Sequence, residues 1–461
     1  MKMKRTLTTL VALAAILAVA PAGSSAPAVH PLLVHGGIGH LIAPGDRVEI
    51  GYQVYTAHVK SPVGTLYVRN DLRKGFQRLP LKLTRGGLRT AVPKRLVRGR
   101  KLFYYAVIRD PRSGRSATVP SAGARSPASA WILDRAVVVR LGTHSFGHTR
   151  AADAVVARAG AGSVGFENNE NYQFGPQTFL VGRDGSVWLH DGLNQKLLVW
   201  PAGHPDAAPH VVQLPFFAGD NDIALGPAGS VYVTRLLRDP PRLLLYRLSP
   251  TGKVLWKIRL AGTYAGESTF VLGSNSPLRV GPNGTLYCLV FMGQPGDEWG
   301  WMPVATPSGS PLSAAAQRRG TNWPYQPASG GLRLLAETYT PPNADTAPHE
   351  HRFALVDRHG RLVRAWRVLS RSDFGGVGKP MTPELVGHDL VVALPVTSGT
   401  VSEYSVLRLG AHGAVTRFSL PYSMWGSSLL SDLRIGPDHA LYQLSSSPTT
   451  GVVISRYSLG L

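Results

Sequence analysis

Residues 178–200, TFLVGRDGSVWLHDGLNQKLLVW, set the reading of the rest of the chain. The stretch divides into three short strands and two turns. Thr178–Val181 is an apolar run, and Arg183-Asp184-Gly185 is a tight turn in which glycine accepts φ > 0. Ser186–Leu189 then alternates small or polar with apolar side chains. A second turn over Asp191-Gly192-Leu193-Asn194 leads into Lys196–Trp200.

The first half of this pattern recurs. Residues 178–188 read TFLVGRDGSVW, 222–232 DIALGPAGSVY, 277–287 PLRVGPNGTLY and 432–442 DLRIGPDHALY. Each is an apolar strand, a glycine, a turn and a second apolar strand with an aromatic at one fixed position. The glycines are Gly182, Gly226, Gly281 and Gly436, with gaps of 44, 55 and 155 residues. The long gap has room for two degenerate copies, around Gly331–Thr340 and Glu384–Leu394. Outer-strand patterns at Lys253–Leu260, Arg361–Val368 and Ala414–Leu420 each follow a glycine turn at Gly252, Gly360 or Gly413. A period of roughly 50 residues with four strands per unit predicts a β-propeller, because one four-stranded blade cannot bury both of its faces alone. Six blades fit best; five and seven remain compatible. The last copy leaves only three strands. Ala136–Leu141 is expected to supply the fourth and close the ring, giving a propeller domain over residues 131–461. Ala151–Ala159 reads as either a short helix or a loop.

Thr178–Trp200 resembles an NHL repeat on Asp184-Gly185, Val187, Leu189, Asp191, Asn194, Lys196 and Trp200. The other copies keep the first turn and lose the Asp–Asn turn, so the likeness is to an NHL-like or related six-bladed propeller. Such propellers include binding proteins, lactonases and lyases, so the resemblance implies a fold and no single activity.

Abundant glycine and proline (51 and 36 residues) between short apolar runs predict an all-β chain. Residues 1–26 have the pattern of a secretory signal. Lys2, Lys4 and Arg5 precede the apolar run Leu7–Val19, with small-residue cleavage candidates at Ala18-Val19-Ala20 and Ser24-Ser25-Ala26. An uncleaved anchor is the other reading. Cys288 is the single cysteine, so no internal disulfide can form, and its setting, GTLYCLVF, predicts a buried strand residue. Export without disulfides suits a bacterial secreted or cell-wall protein.

Residues 27–120 read as a small basic β-sandwich, followed by a linker at 121–130. The hairpin Leu102–Arg109, Asp110–Arg115, Ser116–Val119 resembles the late strands of immunoglobulin-like and fibronectin-like sandwiches. Between Pro27 and Ser126 there are 18 Lys and Arg against four acids, Asp46, Glu49, Asp71 and Asp110. That excess predicts association with an anionic wall polymer or lipid headgroups, or else a solvated face. Nucleic acid is not expected, since no sequence motif interleaves aromatics with these charges.

Two clusters are candidate sites. Glu167, Glu170, Asn171, Asn221, Asp222, Glu384 and Asp432 fall near entries to the innermost strands and form an oxygen set suited to Ca²⁺. Calcium-dependent lactonases on six-bladed propellers use a similar composition; capping of strand ends explains the same residues without a metal. Trp299, Trp301, Trp323 and Tyr325, in the long irregular stretch 291–330, suit sugar or peptide binding. Packing within the loop is the alternative. His349-Glu350-His351 and the pair His144 and His148 are weaker metal candidates. No HExxH, GxSxG, CxxC or P-loop pattern occurs. The sequence thus predicts an exported binding protein for a carbohydrate, peptide or protein ligand. The alternative is a calcium-dependent, lactonase-like hydrolase or lyase at the channel mouth.

Overall fold

The structure, a computed structural model, describes residues 32, 34–56, 59–168, 173–176, 178–216, 222–238, 241–261, 277–291, 299–321, 325–339, 350–374, 381–423, 425 and 432–460. It is all-β: a curled nine-stranded sheet precedes six sheets arranged as a propeller.

Local chemistry builds each blade from its inner edge. In blade 1 the Gly182 amide donates to Ser186 O (2.7 Å), the Gly185 amide donates to Gly182 O (2.9 Å), and Gly185 has φ 79°. The Asp184 carboxylate accepts from the Ser186 amide at 3.1 Å and from its hydroxyl at 2.7 Å. In blades 2 and 3, a Cβ on Gly226 or Gly281 would fall 2.7 or 2.8 Å from the ring of Tyr232 or Tyr287. Gly436 and Tyr442 repeat this relation in blade 6. The recurring glycine and the recurring aromatic are therefore one device: the ring packs where a side chain would otherwise stand. The second turn of blade 1 folds around buried Asp191, which accepts from Asn194 Nδ2 at 2.8 Å and lies 3.7 Å from Lys196 Nζ.

Blade 1 comprises Thr178–Val181, Val187–Asp191, Lys196–Trp200 and His210–Gln213. Blade 2 comprises Ile223–Leu225, Val231–Arg238, Pro241–Leu248 and Val254–Arg259. Among the described residues blade 3 has three strands, Leu278–Val280, Leu286–Phe291 and Trp299–Ala305, with the short helix Ala314–Gly320 packed on the last. Blade 4 runs from Gln326–Pro327 through Arg333–Tyr339 and Glu350–Val356 to Leu362–Leu369. Blade 5 contains Glu384–Val386, Asp389–Ser398, Val401–Leu409 and Ala414–Pro421, with Asp373–Phe374 added. Blade 6 contains Leu433–Ile435, Leu441–Ser447 and Gly451–Tyr457.

The fourth strand of blade 6 is Ala154–Ala159, antiparallel to Gly451–Tyr457 with Ala154 opposite Arg456 and Ala159 opposite Val452. This corrects the expected closure. Val137–Arg140, the core of the segment expected to close the ring, instead adds a fifth strand to blade 4, parallel to Leu362–Leu369. Both segments are short runs of small and β-branched residues, so either can form an edge strand. Ala157 and Ala159 fit the tight space against Trp200, Leu444 and Ile454 between blades 6 and 1. Comparable cores lie between blades 1 and 2, 2 and 3, 4 and 5, and 5 and 6.

The small β-domain is a continuous curled sheet. Its strand order is Val34–Gly37, Glu49–Val54, Gly87–Ala91, Gln77–Thr84, Val63–Asn70, Lys101–Arg109, Ala128–Ile132, Leu41–Ile42, with Ser116–Val119 also on Lys101–Arg109. Gln77–Thr84 makes it continuous: residues 77–81 pair with Val63–Asn70 and residues 82–84 with Gly87–Ala91. Ile50, Leu66, Val68, Leu88, Leu102 and Ile108 fill its concave side. Residues 121–130, expected as a linker, include the turn Gly123–Arg125 and enter the strand Ala128–Ile132.

This sheet is fixed to blade 4. Leu41, Trp131 and Leu133 share a core with Leu335, Ala354 and Val356. Buried Arg352 donates to both Asp46 oxygens at 2.6 and 2.9 Å, to Leu41 O at 2.9 Å and to Glu350 at 2.8 Å. Arg367 adds two bonds to Glu350 at 2.6 and 3.0 Å. The paired guanidinium groups hold the Glu350 carboxyl below its ordinary range against the opposing effect of burial.

The two edge strands separate in a stability test. Ala157→Asp places a charge in the closing interface and is expected to cost about 3 kcal/mol or more in urea unfolding. Val138→Asp, on the exposed side of the outer strand of blade 4, is expected to cost about 0.5 kcal/mol or less. Equal costs would contradict closure by Ala154–Ala159.

Candidate functional site

The six inner strands surround a central cavity of about 1420 Å³, which also reaches the first turns of the blades. Its apolar wall includes Leu180, Ala224, Val280 and Ile435, and Trp188 and Trp301 also line it. Two ion pairs cross it, each skipping one blade. Arg434 of blade 6 reaches Asp222 of blade 2 at 2.5 Å, and Arg279 of blade 3 reaches Glu384 of blade 5 with two contacts of 3.1 Å.

Asp222 is buried and saturated. Its Oδ1 accepts from Thr178 Oγ1 (2.8 Å), the Ile223 amide (2.9 Å) and Arg434 Nη2, while Oδ2 accepts from the Leu278 amide (2.8 Å). Arg434 Nη2 also donates to Thr178 Oγ1 at 2.7 Å. One carboxylate therefore links blades 1, 2, 3 and 6.

Asp432 occupies the same place in the repeat but a different environment. Its Oδ1 accepts from the Tyr404 hydroxyl at 2.7 Å, while Oδ2 has no partner among the described residues. Burial pushes its carboxyl up to about 7, and only the Tyr404 bond and a backbone contact oppose that. Burial and the neighbouring Asp432 push the Tyr404 phenol up as well.

These placements bear on the expected oxygen set. Asp222 and Glu384 reach the cavity, each already neutralised by an arginine. Asp432 is packed against Tyr404, and Glu167 is exposed on the hairpin Glu167–Asn168, Gln173–Phe174. Glu170, Asn171 and Asn221 lie outside the described residues. Among the described residues no group of three or more His, Cys, Asp or Glu is placed to hold a metal ion. A Ca²⁺ ion at Asp222 would sit against a guanidinium and compete with four hydrogen bonds, so these side chains do not fit a cation cage.

The aromatic set is divided. Trp301 is buried in the channel wall, and Tyr325 packs at the joint, where its hydroxyl accepts from Trp131 Nε1 at 3.5 Å. The backbone of Trp299 is in a blade 3 strand, and Trp323 lies outside the described residues.

Of the histidines, His144 is buried with Nε2 2.8 Å from Glu403, while His148 is exposed. His351 is buried against Thr338 Oγ1 at 3.0 Å, and desolvation pushes its imidazole down to about 4. His349 lies outside the described residues, and Cys288 is buried in the core between blades 2 and 3.

Sequence reading missed Arg279 and Arg434. A signal was present: each stands two residues before its turn glycine, where the other copies have Leu180 and Ala224. All four line the cavity.

No protein-family model matches the chain, and no curated protein matches it.

Two outcomes follow from this geometry. EDTA is expected to leave the melting temperature unchanged; a fall on chelation, restored by Ca²⁺, would show a bound cation and contradict this reading. Asp432 has a folded value above its unfolded one, so its stabilising contribution is present below about 4 and is lost as pH rises through about 7. Asp432→Asn should therefore gain stability relative to the native chain between pH 5 and 9, by about 2–4 kcal/mol. A pH-independent difference in urea unfolding would count against a buried protonated carboxyl.

Proposed function

We propose that the chain is an exported binding protein, acting at the cell surface or outside the cell. A carbohydrate, a peptide or a segment of a protein occupies the central channel, and the basic N-terminal domain associates with an anionic wall polymer. The observation that carries this reading is the cavity of about 1420 Å³, whose apolar and tryptophan-bearing wall encloses polar groups already fixed in position. Pockets of this kind hold ligands by shape and a few oriented polar groups. Arg434 and Arg279 neutralise the carboxylates that a calcium-dependent hydrolase would need for its ion, which favours binding over that chemistry.

The leader-like pattern of residues 1–26 supports export. The buried Asp191 turn and the glycine–aromatic turns support kinship with NHL-like propellers. The hairpin formed by Lys101–Arg109 and Ser116–Val119 supports an immunoglobulin-like origin for the first domain.

Val280 lines the cavity and is 41% exposed, so Val280→Trp projects an indole into the channel, obstructing part of it with little effect on the core. In a thermal-shift panel of oligosaccharides and short peptides, a ligand in large excess over its Kd should raise the native melting temperature by about 2 °C or more. The variant should melt as the native chain does alone and lose that shift. A shift that survives Val280→Trp puts the ligand elsewhere; a panel with no shift removes these ligand classes.

A further inference from the structure

The convex face of the curled sheet carries an alternation of cations and aromatic rings assembled from several strands. Tyr67 and Tyr105 face each other on neighbouring strands and stack with ring centroids 4.6 Å apart and planes 1° apart. Arg78, opposite Tyr67 on the next strand, lies 5.6 Å over the Tyr67 ring. In the adjacent row Arg69 contacts two rings, at 5.1 Å from Phe76 and 4.5 Å from Phe103. Phe76 meets Tyr105 edge-on at 5.1 Å. Lys101, two residues from Phe103 on one strand, places Nζ 3.7 Å over Trp131. The Trp131 indole donates to the Tyr325 hydroxyl at 3.5 Å, and Arg333 of blade 4 covers the Tyr325 ring at 4.7 Å. The ribbon therefore passes from the first domain onto the propeller.

We infer that this ribbon is a docking surface for an acidic polysaccharide, with carboxylates on Arg69 and Arg78 and sugar hydroxyls on Tyr67 and Tyr105. The inference rests on the reading of the first domain as a polyanion binder and names its surface and ligand. Charge complementarity supports it: the ribbon is cationic, and Asp71 beside it is held by the Arg100 amide at 2.9 Å and guanidinium at 3.4 Å. Geometry supports it too. A guanidinium lying on a ring keeps in-plane N–H groups for a carboxylate and loses little entropy on binding. The Arg69 fork is further oriented by its Nη1 bond to Arg73 O at 3.2 Å. Successive rows on one sheet face are about 6.6 Å apart, so cations recur at intervals that a chain of regularly spaced carboxylates can follow. Nucleic acid fits less well, because base stacking needs an open ring face. Here Tyr105 and Arg78 pack on Tyr67, and Arg69 packs on Phe76 and Phe103.

The test uses the full chain with polygalacturonate, polyphosphate and single-stranded DNA at matched charge and salt. Native protein should bind polygalacturonate about tenfold or more tightly than either other polymer. Arg69→Lys keeps the charge but removes the fork, and Tyr67→Phe keeps the stack but removes the hydroxyl. With melting unchanged, Arg69→Lys should weaken polygalacturonate and polyphosphate binding alike, by about fivefold, because both accept the bidentate fork, whereas Tyr67→Phe should weaken polygalacturonate binding by about fivefold and polyphosphate binding by less than about twofold. No binding to any polymer overturns the polyanion reading together with this inference. Equal binding to all three, untouched by the variants, keeps the polyanion reading and overturns this surface. Tighter binding to DNA overturns the choice of a polysaccharide.

Discussion

Pairing of Ala154–Ala159 with Gly451–Tyr457 is the constraint on which the propeller depends. A blade buries both faces only when a neighbour covers each of them. Left open, the ring would expose the Trp200, Leu444 and Ile454 core between blades 6 and 1 to water. Joining segments so distant in sequence costs loop-closure entropy, but that cost grows only slowly with length. The apolar cores between blades offset it cooperatively. The central cavity is a consequence of the same closure, as are the ion pairs that cross it.

Those pairs show how one repeat position acquires two kinds of chemistry. Asp222 and Asp432 immediately precede equivalent strands. Asp222 meets an arginine, a threonine hydroxyl and two amides, so burial finds it with its charge compensated. Asp432 meets one phenol and keeps an oxygen without a partner among the described residues, so burial favours its proton. The difference arises from which blades face each carboxylate.

The joint between the curled sheet and blade 4 follows the same electrostatic logic. Arg352 is almost wholly buried, and its desolvation is offset by Asp46, Glu350 and the Leu41 carbonyl. An apolar joint of equal volume would be about as stable, whereas an unpartnered Asp46 or Glu350 would be costly. What the ion network adds is orientation: a bidentate fork fixes the angle at which the sheet meets the blade. That orientation brings the Lys101–Trp131 pair against Tyr325 and Arg333.

The sequence by itself determined the all-β class and the recurring turn and favoured six units over five or seven, because these rest on local rules. A strand has period two, a turn needs glycine at φ > 0, and an aromatic packs on the glycine that leaves it room. It also predicted the burial of Cys288. Tertiary structure alone decided which apolar segment closes the ring, since Val137–Arg140 and Ala154–Ala159 have similar local preferences and only the space beside Gly451–Tyr457 distinguishes them. It also decided that Arg434 and Arg279 neutralise Asp222 and Glu384, and that Tyr67, Arg69, Phe76 and Tyr105 share one face. Most of these partners lie on different strands or blades. Period two links only Tyr67 with Arg69 on one strand; the other meetings depend on sheet register and ring geometry.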